Sequence, residues 1–264
     1  LSLESAIPIV MGANIGTAVT STVVSLGHIT SKNEFRKAIA AATAHDFFNI
    51  IVALILFPLE YYTHALTHTS HWIASLILHC EPYEGFLTEP NVQIQNVVHF
   101  ISESLGHNIT LLLSFSLLCL FACLQLFSML LKSSFLGRYA LHLDQVVFGT
   151  PLKSLSWGIS LTALMQSSSV ISSLIVPLVA TGKVSLRKAF PFLMGANLGT
   201  TLTTLLAAFY QSEAAISLAI VHLLFNLFGV LILFPIPKIR SIPIKLARKL
   251  GQATVKNRLI GFAY

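Results

Sequence analysis

Six long windows with almost no charge dominate this chain of 264 residues. Together they hold a single charged side chain, Asp46, and they lie at 5–31, 38–59, 109–131, 154–182, 189–210 and 214–236. About 20 apolar residues in a helix cross a bilayer core, and a helix satisfies its own backbone there. Because only 10% of the residues are charged and 55% are hydrophobic, the sequence predicts an all-α integral membrane protein that crosses a cell membrane several times.

The charges between the windows predict which side of the membrane each connection faces. Segment 61–108 has no Lys or Arg and carries four glutamates, whereas the tail at 238–264 holds seven basic residues. Cytoplasmic connections are enriched in Lys and Arg. We therefore expect segment 61–108 to be extracellular or periplasmic. The tail is expected to be cytoplasmic and to contact the lipid bilayer, and no nucleic-acid partner is expected.

Two stretches of the chain repeat each other. The sequence "GANIGT" at 12–17 recurs as "GANLGT" at 195–200, and His45-x3-Asn49 recurs as His222-x3-Asn226. The charge rule gives the two copies opposite orientations in the membrane. An inverted repeat with glycine-interrupted apolar segments is typical of a secondary transporter whose site lies between the halves.

The repeat divides the chain into five predicted parts. They are the first, incomplete repeat at 1–60, the outer loop at 61–108, a connecting transmembrane helix with a cytoplasmic segment at 109–153, the second repeat at 154–237 and the basic tail at 238–264.

The second repeat contains a run of polar residues, Gln166 to Ser169, in the middle of a charge-free window. Lys153 and Lys183 flank this window, so a single crossing would violate the charge rule. A re-entrant helical hairpin that turns at the polar run, with broken helices, fits better, and its turn would face a substrate. Helix starts favour anions, and hydroxyl and carbonyl oxygens suit small cations. Contacts between helices are the alternative use of such polar groups.

Asp46 is the acidic residue within the predicted spans. A carboxylate inside a membrane is costly, so it suggests a functional site for Na⁺ or a proton. A structural carboxylate paired with the adjacent His45 is the alternative. His64, His68 and His71 share a helical spacing, but an amphipathic helix at the outer interface is expected there rather than a metal site.

Several motifs together resemble one family, the type II sodium-dependent phosphate cotransporters. They are "QSSSV" at 166–170, the paired "GANIGT" and "GANLGT", "FRKA" at 35–38, "AHDFFN" at 44–49 and "HLLFN" at 222–226. The resemblance implies sodium-coupled symport of inorganic phosphate by alternating access, with Na⁺ as coupling ion and no other cofactor or metal. It implies phosphate contacts from Ser167, Ser168, Ser169, Asn197, Gly199, Thr200, Asn14 and Thr17. It implies sodium contacts from Gln166, Ser167, Thr20, Thr203 and Asp46.

The resemblance also carries three finer expectations. Ala40, Ala42 and Asp46 are similar to the electrogenic version of the family. The family's first Gln-Ser-Ser-Ser hairpin would precede Leu1, so we expect either a fragment of a longer transporter or a second chain that supplies this hairpin. The short segment 61–108, whose only cysteine is Cys80, suggests a bacterial member.

Other functions are compatible with parts of the sequence. A sodium-coupled carrier of another oxyanion, such as sulfate or arsenate, would use the same polar turn. A membrane serine hydrolase could use Ser168, His222 and Asp46 as nucleophile, base and orienting acid, but the chain has no Gly-x-Ser-x-Gly elbow. A structural membrane protein would show no sodium-dependent ligand binding.

Overall fold

The computed structural model describes residues 3–17, 19–79, 92–104, 106, 108–116, 118–119, 145–209 and 212–257. These residues contain helices and no strand, so the predicted all-α class is confirmed for them. The helices are α1 (Leu3–Gly16), α2 (Val19–Leu26), α3 (Lys32–Thr63), α4 (Ala65–His79), α5 (Val92–Ser104), α6 (Pro151–Met165), α7 (Ser168–Ala180), α8 (Leu186–Ala208), α9 (Glu213–Leu233) and α10 (Pro237–Lys256).

The chain divides into two compact units. Leu1–Ile77 and Arg138–Tyr264 form the first, and Leu78–Gly137 form the second. The second unit contains α5 and a further helical stretch at 109–116. The repeats and the polar turn belong to the first unit, and so does every contact described below.

Three helical stretches among the described residues are long and apolar enough to cross a membrane: Ser5–Leu26, which joins α1 and α2, then Lys32–Thr63 and Glu213–Leu233. They agree with the predicted windows 5–31, 38–59 and 214–236. Most of window 109–131 lies outside the described residues. Window 154–182 holds two helices of 15 and 13 residues, α6 and α7. Each of them is shorter than the roughly 20 residues that a crossing needs.

Serine and threonine side chains set the starts of most of the helices in the first unit. A hydroxyl that precedes a helix accepts a hydrogen bond from a backbone N–H that would otherwise have no partner. The N-cap residues that do so are Ser31, Thr150, Ser167, Ser185 and Ser212. The helix boundaries in this apolar chain therefore follow local polar residues.

The corner between α3 and α4 shows that the predicted span at 38–59 was too short. Helix α3 continues to Thr63, and Glu60 is buried inside it. The Glu60 carboxylate accepts hydrogen bonds from the N–H groups of Leu66 at 2.6 Å and Thr67 at 3.2 Å, which are the second and third residues of α4. Asp46 is thus not the only buried carboxylate, and segment 61–108 is helical over much of its described length. No cluster of three or more His, Cys, Asp or Glu side chains that could hold a metal ion occurs in the described residues.

The core of the first unit is built on α3, α7, α8 and α9. Phe48, Phe190 and Phe225 are fully buried, and the rings of Phe48 and Phe190 meet edge to face at 6.4 Å. Helices α6 and α8 approach so closely at glycines that a Cβ atom added at Gly158 would lie 3.0 Å from the backbone nitrogen of Ala196. This contact fixes α8, which carries "GANLGT", against α6, the helix that precedes the polar run at Gln166 to Ser169.

Candidate functional site

The polar run forms a tight break between α6 and α7. Gln166 ends α6 in the left-handed conformation, with φ of 52°, and its N–H donates to the Thr162 carbonyl at 2.7 Å. Ser167 is extended, and its hydroxyl accepts from the Val170 N–H at 3.4 Å as α7 begins. The chain therefore leaves helical geometry within the predicted range. Its passage part-way into a membrane stays a prediction.

The serines of the break differ in exposure. Gln166 is exposed, Ser167 and Ser169 are half-buried, and Ser168 is only 9% exposed. Hydroxyl and amide groups can both donate and accept hydrogen bonds without bringing charge into an apolar region. The start of α7 also presents backbone N–H groups, which favour an anion.

The second glycine motif packs against α6 immediately before this break. A Cβ atom added at Gly199 would lie 2.9 Å from Thr162 Cβ, one helical turn before Gln166. Thr200 and Thr203, half-buried on α8, donate their hydroxyl hydrogens to carbonyls of their own helix at 3.0 and 2.8 Å. Their hydroxyl oxygens therefore keep acceptor capacity for a cation or a donor.

The first repeat reaches this region through α2. Helix α2, which carries Thr20, packs against α7 and α3. Thr20 is exposed, and so is Thr17, whose hydroxyl donates to the Asn14 carbonyl at 3.0 Å. The fold thus puts a predicted sodium ligand of the first repeat on a helix that contacts the serine-bearing helix of the second.

A buried cluster of histidine and asparagine side chains joins α1, α3, α8 and α9. In one half, Asn197 Oδ1 accepts from His45 Nε2 at 2.5 Å, and Asn197 Nδ2 donates to Asn49 Oδ1 at 2.7 Å. Asn49 Nδ2 donates to the Asn14 carbonyl at 2.6 Å.

The other half of the cluster mirrors this pairing. Asn14 Oδ1 accepts from His222 Nε2 at 2.9 Å and from Asn226 Nδ2 at 3.4 Å. Each Gly-Ala-Asn asparagine is therefore held by the His-x3-Asn pair of the other copy. The arrangement is reciprocal.

The sequence analysis missed this pairing. It identified Asn14 and Asn197 as possible phosphate contacts and recognised His-x3-Asn as a repeated motif, but it did not connect the two. The available signal was that both motifs recur with the same chain order in both copies. In the structure, the side-chain amides of Asn14 and Asn197 hydrogen-bond within the cluster and to Val10.

Asp46 lies beside the cluster on α3 and is 4% exposed. Its Oδ1 atom is 3.9 Å from Nδ1 of His45, the histidine whose other nitrogen contacts Asn197. The corresponding residue of the second copy is Leu223. The two halves of the cluster therefore differ by one carboxylate.

Comparison with known proteins identifies the family. The family described as Na⁺/Pi-cotransporter matches residues 108–253, more than half of the chain. This chain belongs to the Na⁺/Pi-cotransporter family. The match includes the serine break, "GANLGT" and the second His-x3-Asn pair.

Curated relatives agree with membership of the Na⁺/Pi-cotransporter family. The chain is 30% identical over 341 residues to sodium-dependent phosphate transport protein 2A of Ovis aries and 30% identical over 359 residues to protein 2B of Rattus norvegicus. The alignments cover 100% of this chain and 53% and 51% of those relatives, so it spans about half of their length. No solved structure matches the chain. A bacterial origin stays a prediction.

The glycines of the first "GANIGT" have different surroundings from those of "GANLGT". A Cβ atom added at Gly12 or Gly16 meets no described atom within 4 Å. The equivalent glycines, Gly195 and Gly199, pack against α6. The same motif therefore has an occupied face in one copy and an open face in the other.

Proposed function

We propose that this protein carries inorganic phosphate across a membrane by sodium-coupled symport. The observation that carries the proposal is the break at Gln166 and Ser167, which places three serines at the start of α7 beside the packed "GANLGT" of α8. Membership of the Na⁺/Pi-cotransporter family and relatives named as sodium-dependent phosphate transport proteins support the choice of ligands.

Phosphate would contact the residues that begin α7 and those on the facing part of α8. Ser167, Ser168 and Ser169 supply hydroxyl donors, and the backbone N–H groups at the start of α7 favour an anion. Gly199 and Thr200 lie on α8 near the same end of α6. Thr17 would play the matching part in the first repeat, whereas Asn14 and Asn197 would position the two motifs through the cluster.

Sodium would bind to oxygen atoms around the same break. Gln166 and Ser167 from the break, with Thr203 on α8 and Thr20 on α2, provide uncharged oxygens of the kind that a small hard cation prefers. Asp46 would hold a further sodium ion. Since Leu223 replaces it in the second copy, only one such ion would bind, and the one additional positive charge carried with each phosphate would make the cycle electrogenic.

The two copies would form an inverted repeat around this site, with α6 and α7 as a re-entrant hairpin. The reciprocal His–Asn pairs support a two-fold relation between the copies, and the shortness of α6 and α7 supports re-entry. The basic tail would be cytoplasmic, and segment 61–108 would lie outside. Alternating access would then move one repeat against the other about the shared cluster.

A second helical hairpin would cover the open face at Gly12 and Gly16. The support is the internal comparison, because Gly195 and Gly199 use the same face to approach α6. This hairpin would supply the other half of the phosphate and sodium site, from the longer chain or from another chain.

Two other functions are distinguished by direct assays. A carrier for sulfate or arsenate would be inhibited by those anions more strongly than by phosphate. The hydrolase alternative needs Ser168 near His222, whereas His222 hydrogen-bonds to Asn14. Hydrolysis that Ser168→Ala abolishes, with uptake unchanged, would favour the hydrolase.

The sodium assignment is tested by Gln166→Ala in an uptake assay. We expect the sodium concentration for half-maximal phosphate uptake to rise several-fold, while competition by sulfate stays as in the parent. Thr204→Ala is the matched control, because this exposed residue lies one position from Thr203 on α8. An unchanged sodium titration would remove Gln166 from the sodium site.

The role of Asp46 is tested by Asp46→Gly. Phosphate uptake should persist, and the phosphate-evoked current should disappear, because no net charge would then move in each cycle. The measurement is a current recorded at a fixed membrane potential together with uptake of labelled phosphate. An undiminished current per phosphate would refute the role given to Asp46.

A further inference from the structure

A cavity separate from the serine break opens where α3 begins, α7 ends and α10 passes. Its volume is about 450 Å³. Arg36 and Lys37 line it from α3, Gly182 and Ser185 from the turn between α7 and α8, and Arg248 from α10. The positive-inside rule predicts the cytoplasm on this side of the membrane.

The lining is basic and has no acid to balance it. Arg36, Lys37 and Arg248 contribute three positive charges, and the described lining residues include no Asp or Glu. Within the described part of the chain, the Arg36 guanidinium donates a hydrogen bond to Asn33 Oδ1 at 2.9 Å. A guanidinium has five N–H donors in a planar fork that matches phosphate oxygens.

The start of α8 adds to the positive potential. Ser185, its N-cap, and Leu186, its first residue, both line the cavity. The N-terminus of a helix carries about half a positive charge. Nearby, partial burial and then Arg187 lower the pKa of Arg240, which indicates that further cations lie close together here.

The walls of the cavity are held by close packing. A Cβ atom added at Gly251 would be 3.5 Å from Ala40 Cβ, so α10 lies directly on the first turns of α3. Gly182 has φ of 79°, and a Cβ atom there would lie 3.4 Å from Lys37 Nζ. The cations therefore project from two packed helices, α3 and α10, beside a closely packed turn.

The outer side of α10 is suited to a membrane surface. A neighbouring groove is lined by Ile242, Leu246, Lys245 and Lys249, which combine apolar and basic side chains. Such a pattern is typical of helices that lie at the interface of anionic membranes, and basic pockets between helices on the cytoplasmic side bind phosphorylated headgroups.

We propose that this basic cavity binds a phosphate group at a site distinct from the transport site. The group would come from the headgroup of an anionic lipid or from free phosphate, since both present the same oxygen atoms to Arg36, Lys37 and Arg248. Bound there, it would link the start of α3 to α10 and to the turn before α8. Occupancy of this cavity could therefore affect both repeats.

The test uses the purified full chain in detergent and sodium-free buffer, which separates this cavity from a sodium-coupled site. One arm titrates short-chain phosphatidylinositol 4-phosphate, and the other titrates inorganic phosphate, with thermal unfolding as the readout. Arg36→Gln and Arg248→Gln should each raise the apparent Kd at least tenfold. The matched controls Lys32→Gln and Lys256→Gln, on the same helices and with the same charge change but outside both the cavity and the neighbouring groove, should alter it less than twofold.

The two arms separate the sources of the phosphate group. If the lipid binds and inorganic phosphate displaces it poorly, the cavity is assigned to a lipid headgroup. Binding of inorganic phosphate alone, with the same pattern of variants, assigns it to free phosphate. If the arginine variants do not fold, Gln252→Glu tests the same cavity, because Gln252 lines it from α10 and a carboxylate there should weaken binding by repulsion. Failure of both probes to bind, or equal losses in the test and control variants, would overturn the proposal.

Discussion

The two copies of the glycine motif have almost the same residues and different surroundings. In the second copy, α8 runs unbroken from Leu186 to Ala208, and its glycines lie against α6. In the first copy, α1 ends at Gly16, α2 begins at Val19, and the glycines meet no described atom. The comparison indicates that the motif is a surface for close helix contact, which only the second copy makes among the described residues.

The polar cluster shows the same asymmetry. The side-chain amide of Asn49 donates a hydrogen bond through Nδ2 and accepts one at Oδ1. The buried Asn226 Oδ1, in contrast, has no hydrogen-bond partner in the described part of the chain. The reason is that Asn197 Nδ2 donates across the cluster to Asn49, while Asn14 Nδ2 donates back to Val10 of its own helix. The half of the cluster whose glycine motif packs against α6 is thus the more fully bonded.

The largest expected effect comes from adding a methyl group to the packed glycine. In Gly195→Ala the new Cβ would lie 3.0 Å from the Ile159 nitrogen and nearer still to the Leu155 carbonyl, both of them backbone atoms that cannot turn away. We expect a loss of about 3 kcal/mol in the free energy of unfolding, since overpacking strains a dense contact. Reversible unfolding in detergent measures it.

Gly12→Ala is the matched control for that prediction. Its Cβ meets open space, and alanine is favoured over glycine within a helix by about 1 kcal/mol, so the chain should be unchanged or slightly stabilised. Equal losses in the two variants would contradict the difference between the copies. When a second hairpin is supplied, Gly12→Ala should become as damaging as Gly195→Ala.

The next effect compares the two asparagines of the His-x3-Asn pairs. Asn49→Leu removes two hydrogen bonds and leaves the buried Asn197 amide without its acceptor, so we expect a loss of about 2 kcal/mol. Asn226→Leu removes only long contacts at 3.4 Å and an unpaired oxygen, so its loss should be under about 1 kcal/mol. The free energy of unfolding of both variants, measured under the same conditions, tests this difference. A larger loss of unfolding free energy in Asn226→Leu than in Asn49→Leu would contradict it.

The smallest effect is the coupling energy within each reciprocal pair. A double-mutant cycle on His45 and Asn197 should give about 1.5 kcal/mol, near the upper end for polar pairs in membrane proteins. The cycle on His222 and Asn14 should give about 0.6 kcal/mol, because that contact is longer, at 2.9 Å against 2.5 Å. Coupling near zero in both cycles would mean that the pairs do not join the two copies.

Local patterns in the sequence predicted much of this fold. The scarcity of charge in windows 38–59 and 214–236 predicted the apolar helices α3 and α9. The run from Gln166 to Ser169 predicted the break between α6 and α7, because a polar run interrupts an apolar helix. The role of Glu60 was missed because capping of α4 depends on the turn at His64, which hydropathy does not reveal.

The candidate site was only partly predictable for a similar reason. The serines of the break were visible in the sequence, but the partners of Asn14 and Asn197 are 208 and 152 residues away along the chain. Such pairs are set by the packing of whole helices, and no periodicity encodes them. A repeat in the sequence indicates that equivalent contacts exist, but it does not say whether they form within a copy or between copies.

Uptake of radiolabelled phosphate into proteoliposomes, with and without an inward sodium gradient, tests the proposed function most directly. The protein should be assayed with the second hairpin present, beside its Ser168→Ala variant. We predict uptake that depends on the sodium gradient and falls at least tenfold in Ser168→Ala. Phosphate uptake that is the same with and without a sodium gradient, or no phosphate uptake under any gradient, would contradict sodium-coupled phosphate transport at the serine break.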